Sequence, residues 1–322
     1  MDNRELVIVG GGPAGMAAAL SAYKHGVRDI IVLERDQFLG GILNQCIHSG
    51  FGIKYFKEVL TGPEFAERFI ENIRETPGIE VSLQSFVARL SSDKRLTFFR
   101  PGSVHEIQAR AVIMATGCRE RTREMIHIPG SRPSGIFSAG LAQKLINSEG
   151  LLPGREVVIV GSGDIGLIMA RRFTLEGAEV KAIIEIQNQS RGLPRNMVQC
   201  VEHFDIPVYF RHTVVCVHGK NRVEKITAAR VDEIDSVIPS SSFDIPCDTV
   251  LVSVGLIPEN ELIEMAGVTL DKKTHSPAAL ELDIPGLFVC GNAFKVYDLA
   301  DSVAEDSEIA GRRAAEYLKV SK

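Results

Sequence analysis

A glycine loop that occurs twice, 151 residues apart, restricts this 322-residue chain more than any other feature. In the first copy, residues 6–34, Leu6-Val7-Ile8-Val9 is a short apolar run suited to one buried strand. Gly10-x-Gly12-x-x-Gly15 follows, then small residues from Met16 to Ala22 that open a helix, then a second β run ending at Glu34. In a dinucleotide site Gly10 makes the tight turn, Gly12 admits the pyrophosphate to the backbone, and Gly15 lets helix and strand pack closely. The helix N-terminus supplies N–H groups and partial positive charge. Glu34, 19 residues beyond Gly15, is placed to bind a ribose hydroxyl. Residues 155–185 replay the whole stretch. Gly10, Gly12, Gly15, Gly26 and Glu34 map onto Gly161, Gly163, Gly166, Gly177 and Glu185 without a gap. One such loop is weak evidence, but two sharing the spacing to a helix-ending glycine and to an acid imply two dinucleotide-binding halves.

The halves also close alike, with strands at 111–117 and 250–255 that each end in a glycine, Gly117 and Gly255. Between opener and closer lie alternating segments of a β-meander: 80–90, 95–100 and 105–109 in the first half, 208–217 and 223–231 in the second. Residues 64–75 have helical periodicity, with Phe65, Phe69 and Ile73 on a core face. The tail has a strand at 286–290, Gly291-Asn292, and a helix expected over 303–319, where Ser302 and Glu305 form a capping-box pattern. It is too small to fold alone and is expected to return to the first sheet. The expected fold class is α/β, two Rossmann-like three-layer domains with the second inserted into the first. The expected bounds are 1–118 with 256–322, and 119–255.

Composition narrows the function classes. At 322 residues the chain exceeds the roughly 250–300 that one core usually serves. A net charge of -5, without a dense basic cluster, gives no reason to expect nucleic acid. No apolar run approaches the ~20 residues of a membrane span, and a first strand from Leu6 leaves no room for a signal peptide. Six cysteines lie far apart with no CxxC, so metal-ligand spacing and a local redox disulfide are both absent. The expectation is a reduced, cytoplasmic protein.

Two dinucleotide sites on one chain suggest a flavin and a nicotinamide cofactor. Gly40-Gly41, shortly after Glu34, lets the backbone approach a second part of an extended ligand, as FAD requires, and the second half has no such pair. FAD is therefore assigned to the first half and NAD(H) to the second. Glu185 favours NAD(H) over NADP(H), since a carboxylate binds a free 2′-OH and repels a 2′-phosphate, although Arg191 and Arg195 lie downstream.

By size and segment order the chain resembles the two-dinucleotide-binding-domain flavoproteins of the thioredoxin reductase branch, without their redox CxxC. Phe288-Val289-Cys290-Gly291-Asn292 matches that family's strand-Gly-Asp motif, with Asn for Asp. A narrower resemblance rests on Gly40-Gly41-Ile-Leu-Asn-Gln-Cys46, Thr61-Gly-Pro-Glu-Phe65, Ala115-Thr-Gly-Cys-Arg-Glu-Arg121, Gly192-Leu-Pro-Arg-Asn196 and Asp298-Leu-Ala-Asp301. These look like the small FAD/NAD oxidoreductases associated with anaerobic glycerol-3-phosphate dehydrogenases, whose related modules occur in opine oxidase, hydrogen cyanide synthase and sarcosine oxidase alpha subunits.

The resemblance implies FAD contacts at Gly10, Gly12, Pro13, Ala14 and Gly15, and at Glu34 and Arg35. It extends them to Gly41, Ile42, Leu43, Gln45 and Cys46, to Val87, and to Ala115, Thr116 and Gly117. Gly291, Asn292, Ala300 and Asp301 complete the flavin set, while Gly161, Gly163, Asp164, Ile165, Gly166, Glu185 and Gly255 serve NAD(H). In the resembled fold the tail helix aims its N-terminus at the flavin, tuning its reduction by ~0.3–2 kcal/mol. It further implies hydride exchange between NAD(H) and flavin, with electrons passed to or from a partner dehydrogenase subunit, and leaves an oligomer open. Cys46 is the catalytic candidate: a redox thiol beside the flavin, or a small apolar residue packed there. His48 is a proton donor or a structural histidine. A stand-alone NADH oxidase or peroxidase using Cys46, and a flavin- and NAD-binding regulatory subunit with little turnover, are the alternative functions.

Overall fold

Short apolar strands alternating with small-residue helices have one economical solution, a parallel sheet covered on both faces. The structure, a computed structural model, describes residues 2–270 and 280–321. It divides into two units, Met1–Arg119 with Ile257–Lys322, and Glu120–Leu256.

The first unit opens with β1 (Asp2–Val9), α1 (Pro13–Lys24) and β2 (Ile30–Leu33), and its longest strand is β3 (Ser103–Met114). β1 lies between β2 and β3, parallel to both, and Ile79–Ser82 extends the sheet beyond β2. The glycine loop after Val9 therefore leaves the sheet where the strand order reverses, the place where open α/β sheets bind ligands. Phe86–Leu90 and Arg95–Arg100 form an antiparallel ribbon on the first half of β3.

In the second unit the repeat supplies β4 (Glu156–Val160), α2 (Asp164–Leu175) and β5 (Glu179–Glu185). The five-stranded parallel sheet runs Ile136–Ser138, Thr249–Val252, β4, β5, Val208–Phe210. Val157, Val158 and Ile159 are fully buried, as are Leu6, Val7 and Ile8 in β1. A three-stranded antiparallel sheet, His212–His218, Lys225–Arg230 and Phe243–Pro246, completes this unit. The tail then returns to the first unit, where β6 (Leu287–Val289) pairs in parallel with β3 and α3 (Ala300–Val320) packs on α1.

Four local expectations are corrected. Segment 80–90 is two strands, because Gln84 at φ +52° turns the chain, and 208–217 breaks likewise at Arg211, φ +56°. The pieces before each turn join the parallel sheets and only those after it enter the antiparallel ones. Segments 105–109 and 111–117 are instead one continuous strand as far as Met114. The tail helix begins at Ala300, not 303, and has no side-chain cap. Asp301 draws the distant 52–55 loop onto the helix start, and Glu305 pairs with Lys54 rather than closing a box with Ser302. A capping box does exist, at Thr61 and Glu64, where it starts the helix Gly62–Arg74 that buries Phe65, Phe69 and Ile73.

Helices α1 and α3 meet at near-backbone distance. A Cβ on Gly311 would lie 2.2 Å from the carbonyl oxygen of Ala18, and the Ser21 hydroxyl donates to the Glu308 carbonyl at 2.7 Å. Gly311→Ala gains up to ~1 kcal/mol of helix propensity but meets backbone that cannot rotate away. We expect a net loss of roughly 1–3 kcal/mol, seen as a lower denaturant midpoint.

Candidate dinucleotide sites

The two glycine loops are held by the same hydrogen bonds. In the first, Gly10 N–H donates to the Leu33 carbonyl at 2.9 Å, and Glu34 accepts from the N–H groups of Gly11 (2.6 Å) and Asp36 (2.8 Å). In the second, Gly161 N–H donates to the Ile184 carbonyl at 2.8 Å, and Glu185 accepts from the N–H groups of Ser162 (2.9 Å) and Gln187 (2.8 Å). Both carboxylates are buried, and each ties the turn to the end of the neighbouring strand.

The glycines of the first loop differ in what excludes a side chain. A Cβ on Gly10 would lie 2.4 Å from the Ala115 carbonyl oxygen, and one on Gly15 would lie 1.8 Å from that of Gly10. Above Gly12 there is nothing within 4 Å. Pro13 and Ala14 open α1 with Gly12 as a bare N-cap, so no capping side chain occupies the N–H groups of the first turn. Gly40 N–H donates to the Gly11 carbonyl at 2.9 Å, which brings Gly41 beside the Gly12 Cα. Gly291 packs on Ala14, where a Cβ would come within 2.6 Å of the alanine Cβ. An open cradle above Gly12, an uncapped helix and three converging backbone segments fit the pyrophosphate of FAD.

The remaining first-half candidates divide by burial. Leu43, Gln45, Val87 and Ala115 are buried, whereas Arg35 is exposed and Ile42 is 57% exposed. Thr116 turns its hydroxyl to the Glu259 carbonyl (2.7 Å), while Gly117, at φ +73°, faces open space. Asn292 accepts from the Tyr297 N–H at 3.1 Å and donates to the Cys118 sulfur at 3.5 Å. Ala300 is the first residue of α3. The Asp301 carboxylate accepts from the N–H groups of Gly52 (3.0 Å), Lys54 (2.8 Å) and Tyr55 (2.8 Å), making it the anchor of the 52–55 loop.

Cys46 ends the 3-10 turn Gly41–Gln45 and is 5% exposed. Its thiol donates to the Ile42 carbonyl at 3.3 Å, and burial pushes its pKa up to about 12. His48 lies on Phe51, ring centroids 5.1 Å apart.

The second site repeats the plan with its own substitutions. Gly161 and Gly166 are wedged against Ser253 and the Gly161 carbonyl, whereas Gly163 faces space up to 4.0 Å away. The Ser162 hydroxyl adds a 2.6 Å hydrogen bond to Glu185 that glycine at position 11 cannot make. Asp164 accepts from the Leu193 N–H (2.7 Å) and the Asn196 amide (2.6 Å), which ties the 193–196 segment to the start of α2. Gly192 N–H donates to the Ser162 carbonyl at 2.9 Å, the counterpart of Gly40, and Leu193 stands where the second glycine would be. Ile165 is half-buried, and Gly255 holds φ +105°. Ser162 was not among the sequence candidates, and Gly192 entered only as the start of a motif, not as a nucleotide contact. The 151-residue offset already pointed to Ser162, and the one-residue insertion before Gly192 hid the other.

A family model described as pyridine nucleotide-disulphide oxidoreductase matches residues 4–306. The chain belongs to that family. It is an FAD-dependent oxidoreductase that uses a pyridine nucleotide. An opine oxidase subunit from Agrobacterium tumefaciens is 24% identical over 98% of this chain and 65% of its own length. Hydrogen cyanide synthase subunit HcnB of Pseudomonas protegens is 26% identical over 81% of this chain and 58% of its own length. The chain thus spans less than two thirds of these relatives. Thioredoxin reductase of Listeria monocytogenes is 22% identical, covering 98% of this chain and 94% of its own. Among solved structures, Lactococcus lactis thioredoxin reductase superposes with a TM-score of 0.78 at 20% identity, covering 98% of this chain and 99% of its own. Bacillithiol disulfide reductase from Bacillus cereus does so with 0.77 at 18%, covering both chains fully. This chain itself contains no CxxC.

The contrast among the glycines gives a direct test of the flavin cradle. Gly12→Ala meets no protein atom, and Gly12 already has an ordinary φ of −78°. The variant should fold, with an apoprotein melting curve like the parent's, yet lose FAD affinity about tenfold or more, a cost near ~1.4 kcal/mol. Undiminished flavin content would show that the space above Gly12 is not the cradle.

Proposed function

We propose that this chain is the FAD- and NAD(H)-binding component of a cytoplasmic dehydrogenase, exchanging electrons with a partner subunit of the glycerol-3-phosphate dehydrogenase type. The observation that carries the proposal is Cys46. Its thiol is buried and engaged by a carbonyl, with its pKa pushed up to about 12 by burial, and the thiolate is the nucleophilic form. With no CxxC in the sequence and Cys46 held as the thiol, the disulfide chemistry of the family has no seat beside the flavin. Electrons then leave or arrive by another protein. The names of two relatives, which call them subunits of an opine oxidase and of a hydrogen cyanide synthase, favour the same reading.

Bound FAD supplies a two-electron centre able to exchange a hydride with the nicotinamide. The chain's own work is placement. Gly10, Gly12, Gly15 and the uncapped N-terminus of α1 would hold the flavin pyrophosphate, and Glu34 its ribose. Asp301 fixes the 52–55 loop against α3. At the second loop, Gly163 and α2 would take the nicotinamide pyrophosphate. Glu185, buried and fixed by Ser162 and Gln187, favours a free 2′-OH and repels a 2′-phosphate. NADH is the expected reductant.

Anaerobic stopped-flow absorbance checks the choice of nucleotide. NADH should bleach the flavin at least about tenfold faster than NADPH at equal subsaturating concentration, a difference of ~1.4 kcal/mol. Glu185→Gln should narrow that ratio, and equal rates in the parent protein would remove the NADH assignment.

Cys46→Ser should leave flavin reduction and turnover with oxygen unchanged, and iodoacetamide at pH 9 should leave Cys46 unlabelled, because a pKa raised to about 12 keeps the thiol protonated there. Loss of oxygen or peroxide turnover in the serine variant would point to a stand-alone oxidase instead. Mixing the purified chain with a glycerol-3-phosphate-type dehydrogenase should confer substrate-dependent reduction of NAD+.

A further inference from the structure

The antiparallel sheet of the second unit carries a side-chain row that dinucleotide binding does not use. Strand His212–His218 pairs with Lys225–Arg230 through a register shift between Val214 and Cys216. Val214 and Val217 are both buried although three residues apart, which a regular strand would send to opposite faces. The extra residue, Val215, turns both inward and sends Cys216 and His218 outward, the re-aiming that bulges perform. Across the sheet Cys216 faces Thr227, and Thr227 faces Asp244.

These side chains form a continuous hydrogen-bonded series. The Cys216 sulfur lies 3.8 Å from the Val217 carbonyl oxygen and 4.0 Å from His218 Nδ1, His218 Nε2 lies 2.8 Å from Thr227 Oγ1, and Thr227 Oγ1 donates to Asp244 Oδ1 at 2.6 Å. Proton counting fixes the histidine tautomer. Asp244 also accepts from Lys225 Nζ at 2.6 Å, and these two hydrogen bonds hold its carboxyl below the usual range, so it is an acceptor. The one hydroxyl proton of Thr227 therefore points to Asp244, and its oxygen accepts from His218 Nε2–H. His218 Nδ1 is left as the unprotonated nitrogen facing the Cys216 thiol. A nucleophile, a base and a group orienting the base thus stand in the order that activates a thiol. The titratable groups facing His218 are Cys216 on its own strand, Lys225 on the paired strand and Asp244 on the third. Cys216 is only half-buried. Cys46, Cys247 and Cys290, by contrast, are buried, with thiols pushed up to about 12.

We propose that Cys216 is a base-activated modification site that takes small disulfides, with His218 as the base and Thr227 and Asp244 as positioning residues. The Cys216 proton passes to His218 Nδ1, and the sulfur attacks one sulfur of RSSR. A new S–S bond forms as the old one breaks, and the departing RS⁻ recovers the proton as RSH. One disulfide replaces another, so no external oxidant or reductant is required.

The test uses the full-length FAD-loaded protein and hydroxyethyl disulfide, a neutral probe, with quenched peptide mass spectrometry under anaerobic conditions. Cys216 should be the first cysteine to carry the adduct. His218→Gln and Thr227→Val should slow its formation at pH 7 by about tenfold or more, while Thr227→Ser, which keeps the hydroxyl, should retain the parent rate. Flavin reduction by NADH serves as the folding control in every variant. Equal adduct rates in the parent, His218→Gln and Thr227→Val, or a Thr227→Ser variant as slow as Thr227→Val, would overturn the proposal.

Discussion

Each half of this protein depends on one buried hydrogen bond, from a glycine-loop N–H to the carboxylate that ends the neighbouring strand. Glu34 holds Gly11 at 2.6 Å and Glu185 holds Ser162 at 2.9 Å. A charge-assisted bond of this kind contributes roughly 1.5–3 kcal/mol, and its geometric effect reaches further. It fixes the turn after the first strand, and the turn sets where the helix begins. The helix in turn decides where N–H groups stand ready for a ligand. Both α1 and α2 start on a glycine without a side-chain cap, an omission that costs only a few tenths of a kcal/mol, ~0.3, and leaves the first-turn N–H groups open to a phosphate.

On this common frame the halves diverge by single residues. After the first acid the chain folds back through two glycines, Gly40 at φ +109° and Gly41 at φ +53°, so backbone can lie against backbone at Gly12. After the second acid it folds back through Gly192 and then Leu193, whose N–H is held by Asp164. The first arrangement leaves room for a ligand continuing past its pyrophosphate along the loop. The second closes that route with a side chain and a hydrogen-bonded acid. Unequal ligands on equal frames would follow from this difference, and the proposed function puts the flavin with the glycine pair.

The frame was legible in the sequence because each constraint there is local. A left-handed turn or a carbonyl 1.8 Å from a missing Cβ admits only glycine, and the residue type announces the geometry. Gln84 and Arg211 carry no such mark. They adopt positive φ because Asp36 and Gln187, themselves 151 positions apart, accept their N–H groups at 3.0 Å, a long-range bond that no local pattern reveals. The third strand of the small sheet, Phe243–Pro246, was missed for a similar reason, since the antiparallel partner defines it. The start of α3 was misplaced by its own caps. Ser302 and Glu305 have the right spacing for a box, but Lys54, from 251 residues earlier, takes Glu305.

The cysteines show where sequence reading stops and chemistry begins. Position alone made Cys46 the redox candidate, because it follows the flavin-side glycines. Of the two readings open to it, environment favours the small packed residue, since burial disfavours the charged thiolate. Cys216 had no motif to recommend it, yet a one-residue bulge turns it toward an imidazole whose tautomer is set by a hydroxyl and a carboxylate. Nucleophilicity in this chain is therefore a property of strand register rather than of spacing along the sequence. The flavin-side half has its thiol held neutral, and electron transfer there rests on cofactor placement. In the second half the thiol with a base beside it stands on a sheet that carries neither dinucleotide loop, so its chemistry can vary without disturbing the frame that holds the cofactors.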